Sequence, residues 1–242
     1  MDGIYDTDQF IKDLQEFHIT LTDIQIKQFL KYYEMLTQWN RVMNLTAITE
    51  YEEVMKKHFV DSLSLVKACD LNAGLSLLDV GTGAGFPGLP LKIAFPNLKV
   101  TLLDSLSKRI QFLQAVIEEL GLKNIEALHG RAEDFAKPGI MREKFDICVS
   151  RAVANMTVLS EYCLPFIRAG GVFISYKSEK LEEEIGEAEK AIEILGGKIE
   201  DQIKMYLPDS NIFRTLFVIR KVASTPKRYP RKAGLPAKEP IK

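Results

Sequence analysis

The stretch LLDVGTGAGFPGLPL, residues 77–91, decides the fold. Its first four residues are a strand-type run, apolar but for Asp79, and the run ends in glycines at alternate positions, Gly81, Gly83 and Gly85. A strand passing through glycines into a helix lets backbone approach a ligand beyond the strand's carboxyl end. The dinucleotide fingerprint, GxGxxG, seats a pyrophosphate on the helix N-terminus. Counted from Gly81 the pattern fails at Phe86; counted from Gly83 it is met formally by GAGFPG. Pro87 and Pro90 then remove amide donors where a pyrophosphate needs them. The GxGxG spacing suits S-adenosylmethionine, which carries a carboxylate, an amine and a nucleoside but no phosphate. Asp104, 19 residues past Gly85, is placed to accept two ribose hydroxyl bonds. NAD sites place an acid similarly, so Asp104 does not discriminate. The loop favours S-adenosylmethionine, with a dinucleotide and a structural turn as the alternatives.

Downstream, β-type runs alternate with amphipathic helices: LKVTLLD before LSKRIQFLQAVIEELG, then NIEALHG, FDICVSRA and GVFISYK. The helix after the last run has the face Leu181, Ile185, Ala188, Ile192 and Leu195. Near-continuous apolar strands alternating with helices predict a parallel sheet covered on both faces. KIEDQIKMYL and IFRTLFVIRK are separated only by PDSN, with no room for a crossover helix, so they should pair antiparallel. Upstream, about 70 residues read as helices. Thr22 with Gln25 forms a capping box, and Ile26, Phe29, Leu30, Tyr33, Leu36, Trp39 and Met43 make one apolar stripe. A short helix near Phe10, Leu14 and Phe17 precedes it, and another from about Glu50 to Cys69 follows. The divisions are a helical extension over 1–72, an α/β domain over 73–222 and a basic tail over 223–242.

The 242 residues, 46% hydrophobic, suffice for a real core. No apolar run approaches the roughly 20 residues of a membrane span. The start, MDGIYDTDQF, lacks an apolar signal core. Cys69, Cys148 and Cys163 are odd in number and far apart, which argues against disulfides or a zinc site and fits a cytoplasmic protein. Net charge is −1, yet from Lys221 onward seven cations face one carboxylate, Glu239. The four-proline stretch ASTPKRYPRKAGLPAKEPIK reads as an extended tail that contacts a polyanion locally.

The chain resembles the ribosomal RNA small subunit methyltransferase G family, also called glucose-inhibited division protein B, along almost its whole length. The matching segments are WNRVMNLTAI (39–48), HFVDSL (58–63), LLDVGTGAGFPGLPLKI (77–93), LLDSLSKRIQFL (102–113), GRAEDF (130–135), FDICVSRA (145–152) and YK (176–177). The resemblance implies an α/β, class I S-adenosylmethionine-dependent methyltransferase fold. That fold is Rossmann-like, with a mostly parallel seven-stranded sheet, one antiparallel strand and an N-terminal helical extension. It also implies N7-methylation of one guanine in 16S ribosomal RNA, free or in the small subunit. Carried over by position, the cofactor contacts fall on Gly81, Phe86, Asp104, Ser105, Leu106, Ala132, Glu133 and Arg151, beside Gly83 and Gly85 of the loop.

Guanine N7 is a bare acceptor with a free lone pair, so no general base is obligatory. The sequence fits: after the fourth strand stands only SRA, with no NPPY-type motif, and Cys148 lies inside a strand. Arg151 is the candidate catalytic residue, able to clamp a carboxylate or phosphate bidentately, against a plain surface ion pair. His58 sits in the helical extension within reach of the rim, with capping or packing the favoured role, and Trp39 belongs to the core stripe. Lys177, Lys227, Arg228, Arg231 and Lys232 are the candidate RNA contacts. The competing readings are a methyltransferase for a small molecule or protein, a non-catalytic RNA-binding protein, and an NAD enzyme.

Overall fold

The structure is a computed structural model that describes residues 5–151, 154–178 and 182–241. Leu181, part of the expected helix face, lies outside the described residues. Seven strands form one sheet in the order β3-β2-β1-β4-β5-β7-β6. They are β1 (Ser76–Val80), β2 (Lys99–Asp104), β3 (Ile125–His129), β4 (Phe145–Arg151), β5 (Ile167–Lys177), β6 (Gly197–Tyr206) and β7 (Phe213–Lys221). β1 to β5 pair in parallel, and β7 runs antiparallel to both β5 and β6. The short PDSN link closes that hairpin, with Leu207 N–H donating to Ile212 O at 2.9 Å.

Side chains alternate across a strand with period two, so neighbouring apolar residues serve opposite cores. Leu77, Leu102, Ile147, Ile174 and Val218 face the helical extension together with α5 (Gly88–Ala94) and α6 (Ser107–Glu119). Leu78, Leu103, Cys148, Phe173 and Phe217 face the layer holding α7 (Ala132–Phe135), α8 (Met156–Cys163) and α9 (Glu182–Ile194). On α9, Ala188, Ile192 and the following Leu195 are fully buried.

The extension comprises α1 (Asp8–Glu16), α2 (Asp23–Met43) and a helical run after them. The capping box at the start of α2 is present: Gln25 N–H donates to Thr22 Oγ1 at 3.3 Å and Thr22 N–H to Gln25 Oε1 at 2.8 Å. The Gln25 amide also reaches the last carbonyls of α5, at 2.8 Å from Ile93 O and 3.1 Å from Ala94 O. One residue therefore starts a helix of the extension and ends a helix of the sheet layer. The buried face of α2 centres on Phe29, Tyr32, Tyr33 and Leu36 rather than Leu30, and Trp39 packs on Phe112 at 5.6 Å. The region expected as one helix from Glu50 to Cys69 changes pitch three times: α3 (Tyr51–Val54), a π-turn (Met55–Val60), α4 (Asp61–Leu63) and a 3₁₀ turn (Ser64–Lys67). Such π-turns inside helices recur at functional sites because they re-aim side chains.

The C-terminal segment is not an extended tail. Tyr229 and Ile241 are buried in the second core, and α10 (Leu235–Lys238) forms within the segment. Its backbone polar groups are met by side chains from far upstream. Arg142 donates to the carbonyls of Thr225, Pro226 and Tyr229, and Glu143 accepts from Thr225 N–H at 2.7 Å. Lys221, counted above with the basic tail, is 1% exposed. Its ammonium donates to Leu164 O at 2.8 Å and lies 3.5 Å from Glu143 Oε1. Residues 222–241 therefore form a strap laid across the second core.

Candidate functional site

At the carboxyl ends of β1, β2 and β3 lies a cavity of about 290 Å³ lined by Gly81, Asp104, Ser105, Arg109, Ala132, Glu133 and Tyr162. A larger one, about 590 Å³, lies beside it at the ends of β1, β4 and β5 and includes Lys57, His58, Asp61, Gly83, Phe86, Arg151, Lys177 and Arg214. The two share Gly81 and Arg109.

The glycine loop between them spends its amides on the protein. Gly81 and Thr82 donate to Leu103 O, Gly85 and Phe86 to Thr82 O, Gly83 to Asp104 Oδ2 and Gly88 to Asp79 Oδ2. Gly83 has φ +61° with open space where a Cβ would stand. Gly85, at φ +103°, is different: a Cβ there would meet Leu89, the Tyr32 hydroxyl at 2.7 Å and Leu113 at 3.0 Å. Gly85 thus serves packing and lines neither cavity. Tyr32 donates to Ala84 O, so the extension holds the loop down directly. Beneath the loop Asp79 is fully buried, its carboxyl pushed up to about 6 by burial against the opposing bonds from Thr82 and Gly88.

Asp104 is 3% exposed. Its Oδ2 accepts from Gly83 N–H at 2.9 Å and from Arg109 at 3.2 Å; its Oδ1 accepts from Leu106 N–H at 2.9 Å. One carboxylate therefore fixes both the loop and the turn after β2, and Oδ1, with one protein donor, keeps acceptor capacity. Leu106 contributes its amide to Asp104 while its side chain is exposed and lines neither cavity. Ser105 and Ala132 line the smaller cavity, and the buried Glu133 does so while accepting from Gly234 N–H at 2.8 Å. His129 is a neighbour, its Nε2 3.1 Å from Ser105 O. These groups fit a nucleoside: a carboxylate for hydroxyls, a small Ala132 where a flat base can lie, the Tyr162 ring, and no cradle of free amides for phosphate.

The larger cavity is built on an aromatic pair. The His58 ring stacks on Phe86 at a centroid distance of 4.4 Å, and the Arg151 guanidinium carbon stands 5.0 Å from the Phe86 centroid. The carboxylate that Arg151 clamps is internal: Nη1 lies 2.8 Å from Asp61 Oδ2, while Arg214 Nε takes Asp61 Oδ1 at 2.9 Å. This pair is sunk into the cavity wall, with the Asp61 side chain 2% exposed, so it is no surface ion pair. His58 Nε2 is 2.9 Å from Thr46 Oγ1, and its Nδ1 is 3.4 Å from Arg151. Burial, then the Arg151 charge, pulls the imidazole down to about 4, so it is neutral at pH 7. Lys177, at the rim, donates to Ala154 O at 3.1 Å.

Of the expected RNA contacts in the strap, Lys227, Arg228 and Lys232 are exposed. Arg231 is not free: it clasps Glu161 bidentately, with Nη2 2.6 Å from Oε2 and Nε 3.0 Å from Oε1. Sequence reasoning missed Tyr32, Lys57, Asp61, Arg109, Tyr162 and Arg214. Asp61, Arg109 and Arg214 lie inside quoted segments, and Tyr32, Lys57 and Tyr162 stand next to named residues, but which side chain turns inward depends on the π-turn and the packing of the elements. Among the described residues no group of three or more His, Cys, Asp or Glu could hold a metal, and no helix is long and apolar enough to cross a membrane.

The family profile described as rRNA small subunit methyltransferase G matches residues 25–212. The chain is similar to the ribosomal RNA small subunit methyltransferase G of Lachnoclostridium phytofermentans, 56% identical over 98% of both chains. It is also similar to that of Alkaliphilus metalliredigens, 52% identical over 94% of this chain and 95% of the other. Among solved structures, a SAM-dependent methyltransferase from Aquifex aeolicus shares the fold at TM-score 0.52 and 20% identity, covering 70% of this chain and 93% of that one. M. jannaschii TYW2, solved in complex with AdoMet, does so at TM-score 0.51 and 16% identity, over 62% and 71%. With a matching profile over most of its length and relatives above half identity end to end, the chain belongs to the ribosomal RNA small subunit methyltransferase G family.

Proposed function

We propose that this protein methylates N7 of one guanine in 16S ribosomal RNA, in the cytoplasm, with S-adenosylmethionine as donor. The observation that carries the reading is the pair of cavities meeting at Gly81 and Arg109. The smaller has groups for a nucleoside, and the larger has an aromatic wall for a base. Asp104 would hold the ribose, Gly81 and Ser105 would border the donor, and Ala132, Glu133 and Tyr162 would flank the adenine.

When bound, the donor supplies a methyl carbon already activated on a sulfonium, so alignment is the protein's main contribution. Phe86 borders the acceptor cavity and would orient the incoming ring. Guanine N7 would take the methyl group with its own lone pair, the C–S bonding pair staying with the sulfur, so no proton would have to leave N7. The cavity is furnished accordingly. His58 is held neutral and is a weak base, and Asp61 is ion-paired to two arginines. His58, pulled down to about 4, is a poor acceptor for the proton that an exocyclic amine or hydroxyl substrate would have to lose. The exposed Lys227, Arg228 and Lys232, with Lys177 at the rim, would meet RNA phosphates.

The test is nucleoside mass spectrometry of 16S RNA and of small subunits after incubation with protein and labelled S-adenosylmethionine. Labelled N7-methylguanosine is expected. Label in any other nucleoside, or transfer only to metabolites or protein, overturns the reading.

A further inference from the structure

The strap ends beside the donor cavity through two contacts that no motif of the glycine loop requires. Gly234 N–H donates to the Glu133 carboxylate at 2.8 Å, and Glu133 lines the cavity. Arg231 takes both oxygens of Glu161 through its guanidinium, and its backbone N–H adds a bond to Glu161 Oε1 at 2.8 Å. Glu161 is next in sequence to Tyr162, which lines the same cavity. Both carboxylates are buried, Glu133 at 3% and Glu161 at 1% exposed. A buried carboxylate deprived of its donors must rotate toward water or take up a proton. Either change would move the wall it belongs to.

We propose that the strap is a built part of the donor site: Arg231 positions Tyr162 through Glu161, and Gly234 positions Glu133, so that a nucleoside ligand finds its wall already set. The inference rests on the donor reading of the smaller cavity given above. It divides the basic residues by role. Arg231 faces inward and serves the donor; Lys227, Arg228 and Lys232 face outward and do not. Arg142 and Glu143 anchor the root of the strap, so its inward face is presented in one register. This acts as preorganisation, which lowers the ordering cost of binding without adding a contact to the ligand.

The experiment measures S-adenosylhomocysteine affinity of the full chain by calorimetry for wild type, R231Q, E161Q, R231K, D104A and the triple variant K227Q/R228Q/K232Q. R231Q and E161Q should bind about tenfold more weakly, the scale of one lost charged hydrogen bond. R231K should recover part of the loss, and the triple variant should bind as wild type. In turnover, R231Q should raise KM for the donor more than it lowers kcat. Its amides at 131–134 and 161–163 should exchange hydrogen faster. E161Q keeps an acceptor for the Arg231 amide, so it carries the test if R231Q does not fold. R231Q and E161Q binding as tightly as wild type while D104A fails to bind would overturn the inference. Wild-type affinity in D104A as well would overturn the donor reading itself.

Discussion

Gly83 and Gly85 sit two residues apart, but their substitution by alanine should have different consequences. At Gly83, φ is +61° and nothing stands within 4 Å of a Cβ. Left-handed strain there costs about 1–2 kcal/mol, and reduced freedom of the unfolded chain returns about 0.4–1 kcal/mol. The net loss should be about 1 kcal/mol. At Gly85 the same strain applies at φ +103°, and the methyl group would press on Leu89, Tyr32 and Leu113. Overpacking of this kind costs about 1–3 kcal/mol. Pushing the Tyr32 hydroxyl off Ala84 O removes a buried hydrogen bond, about 1 kcal/mol more. G85A should therefore lose about 3–5 kcal/mol, a large part of a typical domain's stability. Urea unfolding with unchanged m-value reads both. G83A should stay nearly as stable yet lose activity, because Gly83 borders the larger cavity, the one proposed for the acceptor. Equal destabilisation by the two substitutions would refute this division of labour between the glycines.

His58, pulled down from 6.5 to about 4, contributes stability that is complete above its unfolded value and lost as pH falls toward 4. Asp79, pushed up to about 6, works in the opposite direction and gains as pH falls. The wild-type profile should therefore be shallow, and H58Q should remove a loss of about 2 kcal/mol between pH 7 and pH 5; parallel H58Q and wild-type profiles in acid would contradict it. D61N leaves Arg151 and Arg214 half-buried beside a neutral partner and should cost about 3 kcal/mol in chemical denaturation, with a change below 0.5 counting against the clamp. K227Q/R228Q/K232Q should lower the slope of log affinity against log salt by about 2 for single-stranded RNA, read by filter binding; an unchanged slope removes those residues from the RNA contact.

The sheet was legible because its strands announce themselves twice. FDICVSRA and LKVTLLD are apolar enough for burial on both faces, and PDSN is too short for anything but a hairpin. The loop and Asp104 were legible because glycine spacing and a strand-end acid are local signals. The strap was not. Tyr229 and Ile241 carry no period, and the groups that hold the strap, Glu133, Arg142, Glu143 and Glu161, lie 70 or more residues upstream. Charge composition alone made Lys221 and Arg231 look like free cations, and only pairing across the fold shows otherwise. The acceptor cavity falls between these cases. His58 and Asp61 were in plain view in HFVDSL, but a regular helix would have aimed them differently from the π-turn that holds His58 and the short α4 that opens with Asp61 directly after it.

The formal GxGxxG match at Gly83 shows why such strings are better judged by amides than by glycines. A pyrophosphate site works because a loop leaves several N–H groups pointing at one place with no acceptor of their own. Here the donors of Gly81, Thr82, Gly83, Gly85, Phe86 and Gly88 all end on protein oxygens. Two of those oxygens belong to carboxylates, on Asp79 and Asp104, so the loop already holds negative charge against its inner surface. A phosphate would have to displace one carboxylate and tolerate the other. A sulfonium carries the opposite sign and would gain from both, while on the proposed reading its sugar would use the acceptor capacity that Asp104 keeps on Oδ1. Substituting Asp104 by asparagine separates these contributions. The amide oxygen can still accept from Gly83 or Leu106, but the negative charge at the proposed sugar position is gone. Affinity for S-adenosylmethionine should fall further than affinity for the uncharged thioether product, because only the former feels the lost charge. Equal losses for the two ligands in calorimetry would show that Asp104 acts by hydrogen bonding alone.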